Sequence, residues 1–83
     1  MAYYTYILYS ETLNRYYVGA TQDISVRLDE HLWKHKGFTA KAKDWQLRYR
    51  EEHPTRAEAY SRERQIKRWK SRVMIEKLIG EDR

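Results

Sequence analysis

Tyr3-Tyr4-Thr5-Tyr6-Ile7-Leu8-Tyr9 and, after a polar interval, Tyr16-Tyr17-Val18-Gly19-Ala20 decide the architecture of this chain. Both runs are rich in aromatic and β-branched residues, which suits strands. The interval from Glu11 to Arg15 is polar and carries Asn14, so it reads as a hairpin connection. Neighbouring strands lie about 4.8 Å apart, so the hairpin brings Tyr6 close to Tyr17. Alternation places Tyr4, Tyr6 and Leu8 on one face of the first strand, and Tyr3, Thr5, Ile7 and Tyr9 on the other. Tyr17 and Gly19 share a face of the second strand. Gly19 leaves room there for a backbone or a phosphate to approach.

Working outward, Asp23 caps a helix expected to run to about His35. Ile24, Leu28 and Leu32 form its apolar stripe, with Arg27 and His31 along the edge. Lys36 to Asp44 reads as a basic loop. Trp45, Leu47 and Tyr49 alternate with Gln46, Arg48 and Arg50, the period of a half-buried strand. Pro54 ends that strand, and Thr55-Arg56-Ala57-Glu58 matches a capping box. The helix it opens is expected to reach about Lys70, with Ala59, Ile66 and Trp69 inward. A last helix from about Arg72 to Ile79 packs Val73, Ile75, Leu78 and Ile79, and Gly80 stops it. The expected fold is α/β of the α+β kind. It has a small three-stranded, mainly antiparallel sheet flanked by helices in the order β-β-α-β-α-α.

The 83 residues make one domain, 1–83, without repeat or linker. With 41% hydrophobic residues the chain is too apolar for a disordered tail. It has no cysteine, which excludes disulfides and thiolate zinc sites and fits a reducing cytoplasm. No stretch approaches the roughly 18 apolar residues of a membrane span. The net charge of +5, from 17 Lys and Arg against 12 Asp and Glu, favours a polyanionic partner without specifying one. Solubility alone also explains mild basicity. The distribution is more informative: Arg62, Arg64, Lys67, Arg68, Lys70 and Arg72 accompany a single acid, Glu63, and Lys34, Lys36, Lys41 and Lys43 cluster around Gly37.

Glu63 is the residue hardest to explain structurally. It lies four after Ala59 and three before Ile66, so it projects from the apolar side of its helix. An isolated buried carboxylate is costly, and Glu63 must be paired, protonated or metal-bound. The ordinary account is a pair with Lys67 at i, i+4, worth tenths of a kcal/mol. The eight tyrosines have a bland account too, as amphipathic aromatics of a sheet core, which suits Tyr3, Tyr9, Tyr16 and Tyr49. Arg27 has an apolar stem that can cover surface, and a lone His31 is most often a satisfied, half-buried imidazole. His31, His35 and His53 do not match a zinc spacing, and no Gly-rich phosphate loop is present.

Taken together, Tyr4-Thr5-Tyr6, Tyr17-Val18-Gly19, Arg27, His31 and Glu63 resemble the GIY-YIG nuclease family, in its small single-domain bacterial subgroup. The stretches Trp45-Gln46-Leu47 and Pro54-Thr55-Arg56 add to the likeness with that subgroup. Each tripeptide is weak alone; the ordered set is specific. Two positions depart from the pattern: Tyr4 stands where the family's first motif has glycine, and Asn14 is the only asparagine, whereas several family enzymes carry a late one.

The resemblance implies a metal-dependent DNA endonuclease, with Tyr6, Tyr17, Arg27, His31 and Glu63 catalytic and Glu63 holding one Mg²⁺ or Mn²⁺. It also implies 5′-phosphate and 3′-hydroxyl products. Too few carboxylates cluster for a two-metal site. Tyr6 is expected to act as base and Tyr17 to support it, an order of the two tyrosines that the sequence leaves open, with Arg27 lowering the pKa and His31 orienting a tyrosine or the water. A phenol ionises near pH 10, so this role needs nearby cations. Lys36, Lys41, Lys43, Arg64, Lys67, Arg68 and Lys70 are expected to contact DNA phosphates, with affinity that falls with salt. Little surface is left for base readout. Structure-selective or weakly specific cleavage by a monomer is therefore expected, with a place in DNA repair or recombination and specificity from a protein partner as further expectations. The competing readings are a nucleic-acid-binding module without cleavage, and an adaptor for an acidic protein.

Overall fold

The computed structural model describes residues 2–33 and 42–81. Its elements are β1 (Tyr3–Ser10), β2 (Arg15–Thr21), α1 (Ile24–Trp33), β3 (Gln46–His53), α2 (Arg56–Trp69) and α3 (Arg72–Glu81), the expected order. The three strands form an antiparallel sheet in spatial order β2-β1-β3. The tight turn between β1 and β2 closes at Asn14, which takes a left-handed φ of 52°. Asparagine tolerates that region better than most residues.

Each sheet face has its own core. Ile7, Val18, Tyr49, Ile66 and Ile79 cluster on one side, beneath α2 and α3. Tyr6, Leu8, Ala42 and Trp45 cluster on the other, where Ile24 and Leu28 of α1 pack. The face assignment read from alternation therefore holds. In the hairpin register Tyr6 sits opposite Gly19 and Leu8 opposite Tyr17.

β3 departs from simple alternation. Its pairing with β1 shifts between Ile7, which faces Tyr49, and Leu8, which faces Leu47. Arg48 is the surplus residue of a β-bulge, and its guanidinium lies 5.0 Å from the Tyr9 ring centroid. The consequence is that Trp45 and Tyr49, expected on one face, serve opposite cores, while Leu47 is left exposed.

Three helix starts are capped from side chains. Asp23 Oδ1 accepts the Val26 N–H at 3.1 Å, and Thr55 Oγ1 accepts the Glu58 N–H at 3.2 Å. Ser71 Oγ accepts the Met74 N–H at 3.3 Å. α2 ends at Lys70, whose φ of 47° turns the chain into α3. Two expectations for α3 are corrected. Gly80 does not stop the helix but lies within it, and Val73 is 62% exposed rather than packed. Ile75, Leu78 and Ile79 alone supply the inward stripe at helical spacing, so Val73 falls outside the buried arc.

A buried hydroxyl bolts α2 to the sheet: Thr5 Oγ1 donates to the Ala59 carbonyl at 2.8 Å. On the other side of the molecule, Asp44 ties the β1–β2 turn to the segment before β3. Its carboxylate accepts from Ser10 Oγ at 2.6 Å, the Thr12 N–H at 2.9 Å and Thr12 Oγ1 at 3.0 Å. These donors, the Ser10 hydroxyl first, hold the Asp44 carboxyl at about 2, below its ordinary 3.8. A lowered folded-state pKa gives stability that is present above about pH 4 and is lost as pH falls towards 2. The melting temperature of the protein should therefore drop between pH 4 and pH 2 more steeply than that of Asp44→Asn, as followed by circular dichroism.

Candidate active site at the edge of the sheet

β2 is the edge strand on one side of the sheet, and a cleft of about 430 Å³ opens beside it between α1 and α2. Tyr6, Tyr17, Gly19, Arg27 and Glu63 all line it. Four of the five residues expected to be catalytic thus meet in one place, drawn from β1, β2, α1 and α2. His31 falls in α1, four residues after Arg27, but its side chain lies outside the described residues.

Gly19 has a reason other than the expected approach of a phosphate or backbone. A Cβ built there would lie 2.5 Å from the Tyr6 hydroxyl oxygen and 2.6 Å from the adjacent ring carbon. The glycine is what lets the buried Tyr6 ring cross β2, so that its hydroxyl reaches the cleft. Tyr17 follows from the neighbouring strand, its ring centroid 6.5 Å from that of Tyr6 and 6.4 Å from that of Trp45.

The Tyr6 phenol accepts a hydrogen bond from Arg27, which favours ionisation. Burial outweighs it, and the nearby Tyr17 and the Glu63 charge add to the upward push. The net direction is up. The expected downward push from Arg27 is therefore present, and the push from burial exceeds it.

Glu63 makes the ordinary i, i+4 pair and also reaches the cleft. Its carboxylate pairs with Lys67 Nζ at 2.7 Å, and its side chain is only 16% exposed while still lining the cleft. Lys67 is half exposed, and its Nζ lies 5.8 Å from the Tyr17 ring centroid. Glu63 is the only acid among the described residues that line the cleft, and no group of three or more His, Asp or Glu converges among the described residues. The donors here are a carboxylate and phenols, all oxygen, beside open water. They fit a hard, largely hydrated cation such as Mg²⁺ or Mn²⁺ held through one carboxylate.

The sequence reading missed Tyr3, Gln22, Arg56 and Tyr60, which also line the cleft. Arg56 stacks on Tyr60 with its guanidinium carbon 5.2 Å from the ring centroid. A signal was present: 56, 60, 63 and 67 recur at helical spacing along the edge that carries Glu63.

The residues expected to bind phosphate divide. Lys67 and Lys70 line a second groove next to the cleft. Arg64 and Arg68 are exposed on α2, and Lys43 is exposed before β3, outside both depressions. Lys36 and Lys41 lie outside the described residues.

Residues 2–77 match the family described as the GIY-YIG catalytic domain, and the chain belongs to that family. The family carries a nuclease-type function and implies DNA binding. Among solved structures the chain is similar to the solution NMR structure of the UPF0213 protein BH0048 from Bacillus halodurans. That likeness has 28% identity and a TM-score of 0.60, and it covers 96% of this chain and 84% of the other. No curated protein matches the chain. Among the described residues no helix is long and apolar enough to cross a membrane.

Proposed function

We propose that this protein hydrolyses phosphodiester bonds in DNA with one divalent cation, preferring branched or distorted substrates to a recognition sequence. The support is the cleft that gathers Tyr6, Tyr17, Arg27 and Glu63 at the sheet edge. A cation held by Glu63 with water, Mg²⁺ or Mn²⁺, would supply charge stabilisation on the leaving oxygen. Arg27, fixed against Tyr6, neutralises charge growing on the phosphate. Tyr6, buried against Arg27, donates its hydroxyl to a phosphate oxygen or to the attacking water. Tyr17, half-buried beneath Lys67, serves as the base in its ionised form, the phenolate oxygen taking the proton of the attacking water and becoming the neutral phenol. Products carry a 5′ phosphate and a 3′ hydroxyl. A role in repair or recombination follows from a preference for branched DNA.

One observation favours a second reading, a nucleic-acid-binding module that does not cleave: Lys67 already occupies Glu63. Purified protein incubated with supercoiled plasmid and with branched DNA separates the two. Hydrolysis predicts nicking in Mg²⁺ or Mn²⁺ but not in EDTA, and a loss of about 10²-fold or more in Tyr17→Phe, the loss of a general base. Salt-sensitive binding without nicking in either metal supports the module instead.

A further inference from the structure

A second groove of about 640 Å³ runs along the outer edge of β2, where the α2–α3 junction faces it. That volume lies within the roughly 300–1,000 Å³ of pockets that take small organic groups. Its floor is apolar, with Tyr16, Val18, Ile66 and Ile75. Its rim is cationic, with Arg15, Lys67, Lys70 and Arg72, and no carboxylate lines it among the described residues. The groove is continuous with the active-site cleft: Tyr17 lines both, and Lys67 on this rim bonds Glu63 in the other.

The rim cations are not equivalent. Arg72 is committed to structure, donating to the Asn14 carbonyl at 2.9 Å and to Asn14 Oδ1 at 2.7 Å, with its guanidinium 5.4 Å from the Tyr16 ring centroid. Arg15 and Lys70 are exposed, and neither forms an ion pair with a described residue. Two solvated cations above an aromatic and aliphatic floor match the two halves of a nucleotide, phosphate and base. A duplex shows this floor only base edges, whereas an unpaired base offers its face.

We infer that this groove holds an unpaired nucleotide of the strand next to the scissile phosphate, and so selects branched or single-stranded DNA over plain duplex. The inference rests on the proposed phosphodiester chemistry in the neighbouring cleft. The ordinary account of charge on an edge strand is protection against pairing with another chain. Protection needs the charges but not a concave apolar floor.

The test is fluorescence anisotropy in EDTA, with a labelled single strand and a duplex of equal length. The variant is Arg15→Ser with Lys70→Asn; asparagine tolerates the left-handed backbone at 70, and neither residue lines the cleft. The wild type should prefer the single strand. The variant should lose about tenfold for the single strand and under about twofold for duplex. Its salt slope for the single strand should fall by roughly 1.4, two phosphate contacts at about 0.7 each. A 2-aminopurine base in the strand should be quenched by the wild type and not by the variant. Equal losses on both DNAs, or no quenching by the wild type, overturn the groove. So does unchanged binding in a variant that now dimerises in sedimentation, which leaves edge protection alone. Wild type that nicks in no metal, yet shows the strand preference and its loss, supports the groove and removes only the hydrolytic reading.

Discussion

Glu63→Gln should lower divalent-ion-dependent nicking by about 10³-fold while leaving the melting curve nearly unchanged. The two halves of this outcome come from the two partners of one carboxylate. Towards Lys67, Glu63 makes an i, i+4 pair on a helix, and losing it costs about 0.2–0.5 kcal/mol. Towards the cleft, it is the only acid among the described lining residues, so its removal would leave the proposed cation with no carboxylate anchor. Glutamine keeps the volume and a hydrogen-bond acceptor and discards only the charge. Mn²⁺-induced NMR broadening at the Glu63 amide gives a readout independent of turnover: present in the wild type, absent in the variant. A variant that nicks at the wild-type rate would reduce Glu63 to a helix-surface pair.

Gly19→Ala is expected to cost about 10²-fold in nicking, the order of loss that a displacement of roughly 1 Å produces in an aligned site. The backbone at 19 is open to alanine, since its φ lies outside the positive range that favours glycine. The penalty is entirely steric: the new methyl falls 2.5 Å from the Tyr6 hydroxyl oxygen. Tyr6 is 2% exposed, so its ring has little freedom to retreat, and the hydroxyl must leave its place beside Arg27. Overpacking of this kind also destabilises by about 1–3 kcal/mol. A double-mutant cycle identifies the route. In a Tyr6→Phe background, with the hydroxyl already gone, Gly19→Ala should cost little further activity. Full additivity would mean that the glycine acts on something other than Tyr6.

How much of this was legible in the chain differs by element. The hairpin faces were, because period-two alternation in β1 and β2 is uninterrupted and both faces are buried. β3 was only half legible, since the bulge at Arg48 depends on pairing with β1 and leaves no mark in local composition. The helices were placed by their caps, but the inward arc of α3 was overcounted at Val73. At the site, Glu63 stood out because an acid on an apolar helix side is costly, while Arg56 and Tyr60 passed unnoticed as ordinary surface types. The net direction of the Tyr6 shift depends on something sequence cannot supply. A single cation was visible at position 27, but the desolvation opposing it arises only once the ring is enclosed.

The Thr5–Ala59 hydrogen bond carries one more implication. Thr5 immediately precedes Tyr6, and Ala59 stands one helical turn before Glu63, so a single hidden contact gauges the spacing between the phenol side and the carboxylate side of the cleft. The scaffold itself thus sets the spacing across which the proposed chemistry would act. Warming that loosens this one strut should end the proposed nicking while most of the ordered backbone persists.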